Sequence, residues 1–499
     1  MKRLLPLVIL ALMALHANAQ VGINNISPNA SLDISATNQA SPASNDGILV
    51  PRIDAFPATD PGAAQNSMIV YLTTTDAGNP PGFYFWNQGT LSWESLTSAA
   101  GADEINDLTD GINDGSSVFL GDNSGTNDDG NNSNAALGTN ALTANTSGRE
   151  NAALGSSALR SNTTGTDNSA LGFQSLNGNT GGYSNVAVGS QAMLSNTTGH
   201  SNTALGVTAL RNNTTGLGNT AIGFGSLNAN TANYNTALGY LSMNTNTTGA
   251  NNTGLGYFTL RVNTSGSNNT AVGNSAMSTN TTGENNTAMG RQALAVNTTG
   301  NDNTVYGNQA GLLNSTGYQN TAMGSASLDR NTIGYNNVSI GYSAMGNNIN
   351  GRQNTVVGAV AMANNSTGIE NTIVGYNAGS GSNSGNYSVA VGSNALSGTV
   401  GASGNVAIGR NTLSSVSSSA ALYNVGVGYE ALESLTTGNR NIGIGSFTLN
   451  SATTGIGNVG VGSEVFQDLT TANFNTSLGY QAGSNITTGS SNVMFDPAW

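Results

Sequence analysis

Cysteine is absent from all 499 residues, so no disulfide framework, thiolate metal site or lipidated N-terminal cysteine is available. Charged residues make up 7% of the chain, where a soluble domain carries about 25%. Lys2 is the only lysine, and His16 and His200 are the only histidines. Twelve basic residues stand against 25 acidic ones, a net charge of −13. That balance argues against nucleic acid or an anionic membrane surface as partner. No apolar run beyond the N-terminus is long enough for a transmembrane segment.

What is present begins with MKRLLPLVILALMALHANAQ. Lys2 and Arg3 precede a short apolar run, and Ala17-Asn18-Ala19 forms an A-x-A cleavage site. Residues 1–19 therefore read as a secretory signal peptide, and the protein as secreted, extracellular or at the outer cell surface. Cleavage removes Lys2, Arg3 and His16, which leaves no lysine, one histidine and a net charge of −15.

Residues 20–98 read as a small β-domain. GILVPRI and NSMIVYLTTTD are short β-branched runs between Gly, Pro and Asn. GFYFWNQGTLSWESL predicts an aromatic hairpin, turned at Asn87-Gln88-Gly89, with Leu91 and Trp93 alternating against Thr90 and Ser92. Trp86 and Trp93 are candidate sugar platforms, but a core role fits a domain with few other large apolar residues better. An acidic linker, 99–116, follows. Eight of the chain's acids lie between Asp103 and Asp129.

From Asn134 a phrase of seventeen residues repeats: N-T-A-φ-G-x-x-A-L-x-x-N-T-T-G-x-x, with φ apolar. One unit is a residue short before Asn235, and one is two residues long before Asn424. Position 5 is Gly in every full unit, which demands positive φ or an approach that a Cβ would block. Position 15 is Gly in most units and closes N-T-T-G, a turn signal in which Gly is expected in the left-handed region. Position 9 is Leu, Met or Phe except at Gly311, Gly379 and Gly483. Arginines occupy only positions 6, 10, 11, 16 and 17, and charge avoids positions 1–5, 8, 9 and 12–15 of the full units, so those charge-free positions face a core, a turn or a neighbour and the rest face water.

The segment TALGVTAL is too short and uncapped for a helix. A seventeen-residue period suits one coil of a parallel β-solenoid, with two short strands and two turns. At ~4.8 Å per coil, about 22 coils would extend roughly 105 Å. The asparagines at positions 1 and 12 are expected to form axial ladders. Leu205 and Leu210, at positions 4 and 9, are expected to fill the interior. Small residues at position 3 would admit another chain, so an oligomer is expected. The solenoid spans 117–491, and 492–499 (NVMFDPAW) reads as a cap or a truncation point.

NTALG, NTAVG (269–273) and NVAIG (405–409), each followed by a small residue three places after the Gly, resemble the head repeats of trimeric autotransporter adhesins, the YadA type. The resemblance covers 117–495. It implies a left-handed parallel β-roll, a homotrimer and a place on a bacterial surface. The repeat here is longer than the familiar head repeat of about fourteen residues, and there is no heptad stalk or C-terminal barrel. VGINNISPNASLDI…ILVPRI is similar to secreted Bacteroidetes surface and tail-fibre-like proteins.

Candidate chemistry is sparse. His200, on a variable position, has no second histidine to work with, and no catalytic or cofactor-binding residue is assigned. No cofactor is expected. Asp122, Asp128 and Asp129, in GDNSGTNDDGNN, are weak candidates for a hard cation, although their spacing matches no EF-hand. The expected function is a structural or adhesive fibre whose partners are its own copies and surface glycans or a host or matrix protein, engaged through avidity. The alternatives are an ice-binding solenoid using Thr at positions 2, 13 and 14, a polysaccharide-degrading β-helix, and a phage-like tail fibre.

Overall fold

The computed structural model describes residues 49–96, 116–130, 132–398 and 401–495, with the backbone of Val21–Ile23, Leu32–Ile34 and Gly111–Asn113. The proposed signal peptide, most of the acidic linker and residues 496–499 lie outside the described residues. The chain divides into two compact units between Asp107 and Leu108.

In the first unit, Arg52–Ile53 pairs in parallel with Ile69–Leu72, and Gly82–Asn87 and Ser92–Ser95 continue the sheet antiparallel. Val21–Ile23 and Leu32–Ile34 form a separate parallel pair. The expected hairpin is present, with Trp86 opposite Trp93. Asn87 Oδ1 accepts the Gly89 N–H at 2.9 Å and fixes the turn. Leu91 does not alternate with Trp93 as expected. It has φ +53° and sits in the turn, because the strand resumes only at Ser92.

The second unit is a β-solenoid. Twenty-three strands of three residues, from Val118–Leu120 to Val493–Phe495, stack in parallel with identical repeat positions facing each other. The ladder is open. Its first strand is covered by Gly111–Asn113 of the expected linker, which pairs antiparallel with Val118–Leu120. Such a cap shields an edge that would otherwise recruit strands.

Each coil has one strand at positions 2–4, not two. Positions 7 and 9 explain why: Thr208 has φ +56° and Leu210 φ +50°, and left-handed residues on either side of position 8 break an extended strand. Position 17 is left-handed as well, as at Ser201 and Gly218. The corners remain stacked, however. Leu210 N–H donates to Ser226 O at 3.0 Å and Asn212 N–H to Asn228 O at 2.9 Å. Coil-to-coil backbone bonding therefore persists through the turns.

The left-handed backbone and complete burial together account for the composition of position 9, since the less buried left-handed position 7 admits Thr208 and Val360. β-Branched residues are disfavoured at positive φ, and none occurs there between Leu142 and Gly483. Where Gly replaces Leu, the volume is supplied elsewhere in the same coil. Gly125 lies under Phe119, Gly311 beside Val305 and Gly379 beside Ile373, each an enlarged position 3. In the last case, Gly483, Phe466 and Met494 of the adjacent coils fill the space.

The two recurrent glycines differ in cause. Gly206, at position 5, has φ +143°, and an added Cβ would lie 2.5 Å from Gly223 O. Both reasons anticipated for it hold at once. Gly216, at position 15, is not in the left-handed region expected from the turn signal. Its Cβ would instead strike Asn213 Oδ1 and Ala232 O, so close approach alone demands Gly.

The asparagine ladders are present, and their asparagines are buried from Asn134 to Asn475, with Ser388 replacing one rung. Asn219 donates its N–H and Nδ2 to Asn202 Oδ1 at 2.9 and 3.1 Å. Asn213 Nδ2 donates to Asn196 Oδ1 at 3.1 Å. Gly216 O accepts from both Asn202 and Asn213, at 2.9 and 3.0 Å, and so ties the two ladders of one coil together. The position-12 ladder ends after Asn365. Ser382 follows, and the later described coils place the buried apolar residues Val416, Leu435, Ala452 and Leu469 there.

Candidate functional site

The interior is narrower than the sequence suggested. Along each strand successive side chains alternate faces. Ala204 at position 3 points inward and is fully buried, whereas Leu205 at position 4 points out and is 46% exposed. This overturns the assignment of Leu205 to the core and of position 3 to an inter-chain contact. The reason is volume: Leu210 and Ala209 enter the same interior from the other wall, which leaves room only for a small residue opposite them.

Position 4 is therefore an outward row of Leu, Ile, Val, Met, Tyr and Phe, one per coil from Leu137 to Phe495. No charged or amide residue interrupts it. Position 2 shares that face. It is Thr in eight successive coils, Thr203 to Thr321, and apolar in five successive coils from Val389 to Val459.

Beside this face, position 6 carries exposed aromatics. Phe224, Tyr240 and Tyr257 stack along the axis, with ring centroids 5.4 and 5.6 Å apart. Arg261 lies over Phe258 at 4.5 Å. At another corner Tyr318 stacks on Tyr335 at 4.7 Å, with Arg352 over Tyr335. These rings turn their faces to one another, which leaves mainly edges to solvent.

His200 stacks on Tyr183 at 4.4 Å, and its Nδ1 lies 3.3 Å from Ser201 Oγ. The three candidate aspartates part company. Asp122 is exposed on a corner. Asp128 occupies position 12 of the first coil, where its Oδ1 accepts from Asn132 and Asn134, each at 3.1 Å, and from Asn145. Asp129 Oδ1 accepts from Asn132 at 2.6 Å. Among the described residues no cluster of three His, Asp or Glu could hold a metal ion.

The threonines at position 13 are engaged along the axis, since Thr197 Oγ1 donates to Thr214 O at 3.0 Å. In the first unit Trp86 is buried, its Nε1 donating to Gln88 Oε1 at 3.1 Å. Trp93 stacks on Phe56 at 5.2 Å. Both indoles serve the core of the small domain.

Among known protein families, residues 20–117 match the one described as a phage tail like trimerisation region. The match ends where the first coil begins. No curated protein and no solved structure matches the chain. Among the described residues, no helix is long and apolar enough to cross a membrane.

Proposed function

We propose that the protein is a secreted, non-catalytic fibre in which three chains joined through residues 20–117 carry their solenoids to a bacterial surface. The observation that carries this reading is the trimerisation match immediately before the first coil. The stacked amides and backbone of the solenoid supply stiffness. The variable positions 6, 7, 10, 11, 16 and 17 carry most of the charge and aromatic chemistry that differs from coil to coil. An adhesive role would act through many weak contacts at those positions, on surface glycans or a host or matrix protein.

Sedimentation of the full chain tests the fibre: a mass of three chains with high frictional drag is expected, and a compact monomer would overturn it. Glycan-array binding by that species then separates an adhesin from a plain structural fibre. An ice-binding reading gains some support from the unbroken Thr row at position 2 but loses the position-13 hydroxyls to axial bonds. Thermal hysteresis in the purified protein would favour it.

A further inference from the structure

We infer that the outward face of the four-stranded sheet in the first unit is where three copies of this chain meet, each turning that face toward a common axis. The inference rests on the trimeric reading and adds the surface. The inner face of the sheet is already complete. Val70, Leu72 and Tyr84 are buried there, with Ile53, Phe56 and Trp93 packed against them. A sheet whose other face is wet alternates apolar and polar residues. These strands do not. Between the buried Val70, Leu72, Tyr84 and Trp86 stand Ile69, Tyr71, Phe83 and Phe85, all on the opposite face.

Those four form one patch. Ile69 lies opposite Phe85, and Tyr71 opposite Phe83. The Tyr71 and Phe83 rings meet edge-on, with centroids 4.9 Å apart. Ile69 and Phe83 are still 43 and 44% exposed. Covering such side chains drives association.

Charge selects a second copy as the occupant. Among the strand residues of this face only Arg52 and Glu94 are charged. They stand on the two edge strands of the sheet, Arg52–Ile53 and Ser92–Ser95. Three copies around an axis make a heterologous ring, in which one edge of each face meets the opposite edge of the next. Arg52 of one copy then faces Glu94 of the next at all three joints. Residues of the two middle strands lie nearest the axis and meet their own copies, so a charge there would face like charge. The face carries none there. Both edge groups are held in place. Arg52 Cζ lies 5.7 Å from the centre of the Tyr71 ring. Glu94 Oε1 accepts from Asn87 Nδ2 and Thr90 Oγ1, each at 2.7 Å. The trimerisation match over residues 20–117 contains the whole sheet.

The absence of native cysteine makes single-cysteine full-length chains a clean test. Treated with a short bis-maleimide, co-expressed Arg52→Cys and Glu94→Cys chains should cross-link to each other, and neither variant expressed alone should cross-link. Phe83→Asp added to both should abolish the product while near-ultraviolet circular dichroism is kept. Ile69→Asp is the second variant for that reading should Phe83→Asp unfold the unit. A product from one variant alone overturns the meeting of opposite edges. A cross-link that survives either folded Asp variant overturns the place of the apolar patch at the axis. A three-chain wild type with no cross-link in the mixture assigns the face to another cover, such as a flanking segment of the same chain, while the trimer stands. A wild-type monomer removes the reading beneath it.

Discussion

Asp128 is the first rung of the inner asparagine ladder, and Asn145, one coil on, donates its Nδ2 to it. The later rungs donate backwards, as Asn162 Nδ2 does to Asn145 Oδ1 at 2.8 Å, and up to Asn348 each accepts from the rung ahead. The first rung has nothing behind it to donate to. A carboxylate, which only accepts, is the matching side chain. The Asn134 amide at 3.1 Å uses the same oxygen.

Asp128→Ala should leave the Asn145 and Asn134 amides short of an acceptor, at about 1–3 kcal/mol for each buried group. Because coils interact only with their neighbours, the loss should be local. Hydrogen exchange should quicken in coils 117–150 and stay unchanged in coils well beyond them. Asp128→Asn should be milder. Chelation with EDTA, or added Ca²⁺, should leave the melting temperature of the wild type where it was. A calcium-dependent shift would return these aspartates to metal binding.

Gly206→Ala and Gly311→Ala should differ sharply although both sites have positive φ. At Gly206 the Cβ would strike backbone of the next coil at 2.5 Å, whereas at Gly311 its nearest neighbours are side chains at 3.6 Å. Strained backbone costs about 1–3 kcal/mol, and the Gly206 clash adds to that. Gly311→Ala should stay near the low end of that range, since Leu occupies the same conformation in other coils. Equal losses at the two sites, measured by local hydrogen exchange, would contradict the coil geometry.

The repeat period, the solenoid, the ladders and the invariance of Gly206 were legible because each leaves a mark that no other arrangement leaves. The direction of Leu205 was not. Positions 3 and 4 are both apolar, and a three-residue strand is too short for alternation to show which one faces in. The usable signal was volume. Val305 and Ile373 enlarge position 3 in the coils where Gly311 and Gly379 vacate position 9, which places 3 and 9 in one cavity. The conformation of Gly216 is hidden for a related reason: N-T-T-G is a turn sequence, but the carbonyl stacked on it, not φ, excludes a side chain. The role of Asp128 is hidden because an acid among Asn and Gly looks like a solvated loop until the ladder is seen to start there.

Leu210→Val should be worse than Leu210→Met, although both keep the site apolar. Leu210 has φ +50° and is fully buried. Methionine keeps an unbranched Cβ and most of the volume, at under about 1.5 kcal/mol. Valine both opens space and branches at a left-handed position. Chemical denaturation combined with exchange in coils 193–227 should rank Met above Val, and the reverse order would remove the explanation for the missing β-branched residues at position 9.

Asp329 should favour the folded solenoid slightly more in acid than at neutral pH. Burial holds its carboxyl above the ordinary value of 3.8, against the opposing pull of Arg330. A raised folded-state pKa means that the folded chain binds the proton more tightly, so this contribution grows as pH falls through the raised value and levels off below the ordinary one. Asp329→Asn should therefore stabilise modestly at neutral pH and lose that advantage once the pH lies below the ordinary carboxylate value. An effect that does not change with pH would assign the site to packing.

Gly379→Leu and Ile373→Ala should each destabilise alone and largely cancel together. The Cβ added at Gly379 would lie 3.3 Å from Ile373 Cδ1, and a full leucine there overpacks the coil, at about 1–3 kcal/mol. Ile373→Ala alone opens a cavity worth about 2–5 kcal/mol. The double variant recreates the Ala204 and Leu210 arrangement of an ordinary coil, so a coupling of about 1–3 kcal/mol in its favour is expected. Exchange of the amides in coils 354–396 reads this locally, which matters because a repeat array need not unfold in one step. Strictly additive losses would show that positions 3 and 9 do not share a cavity.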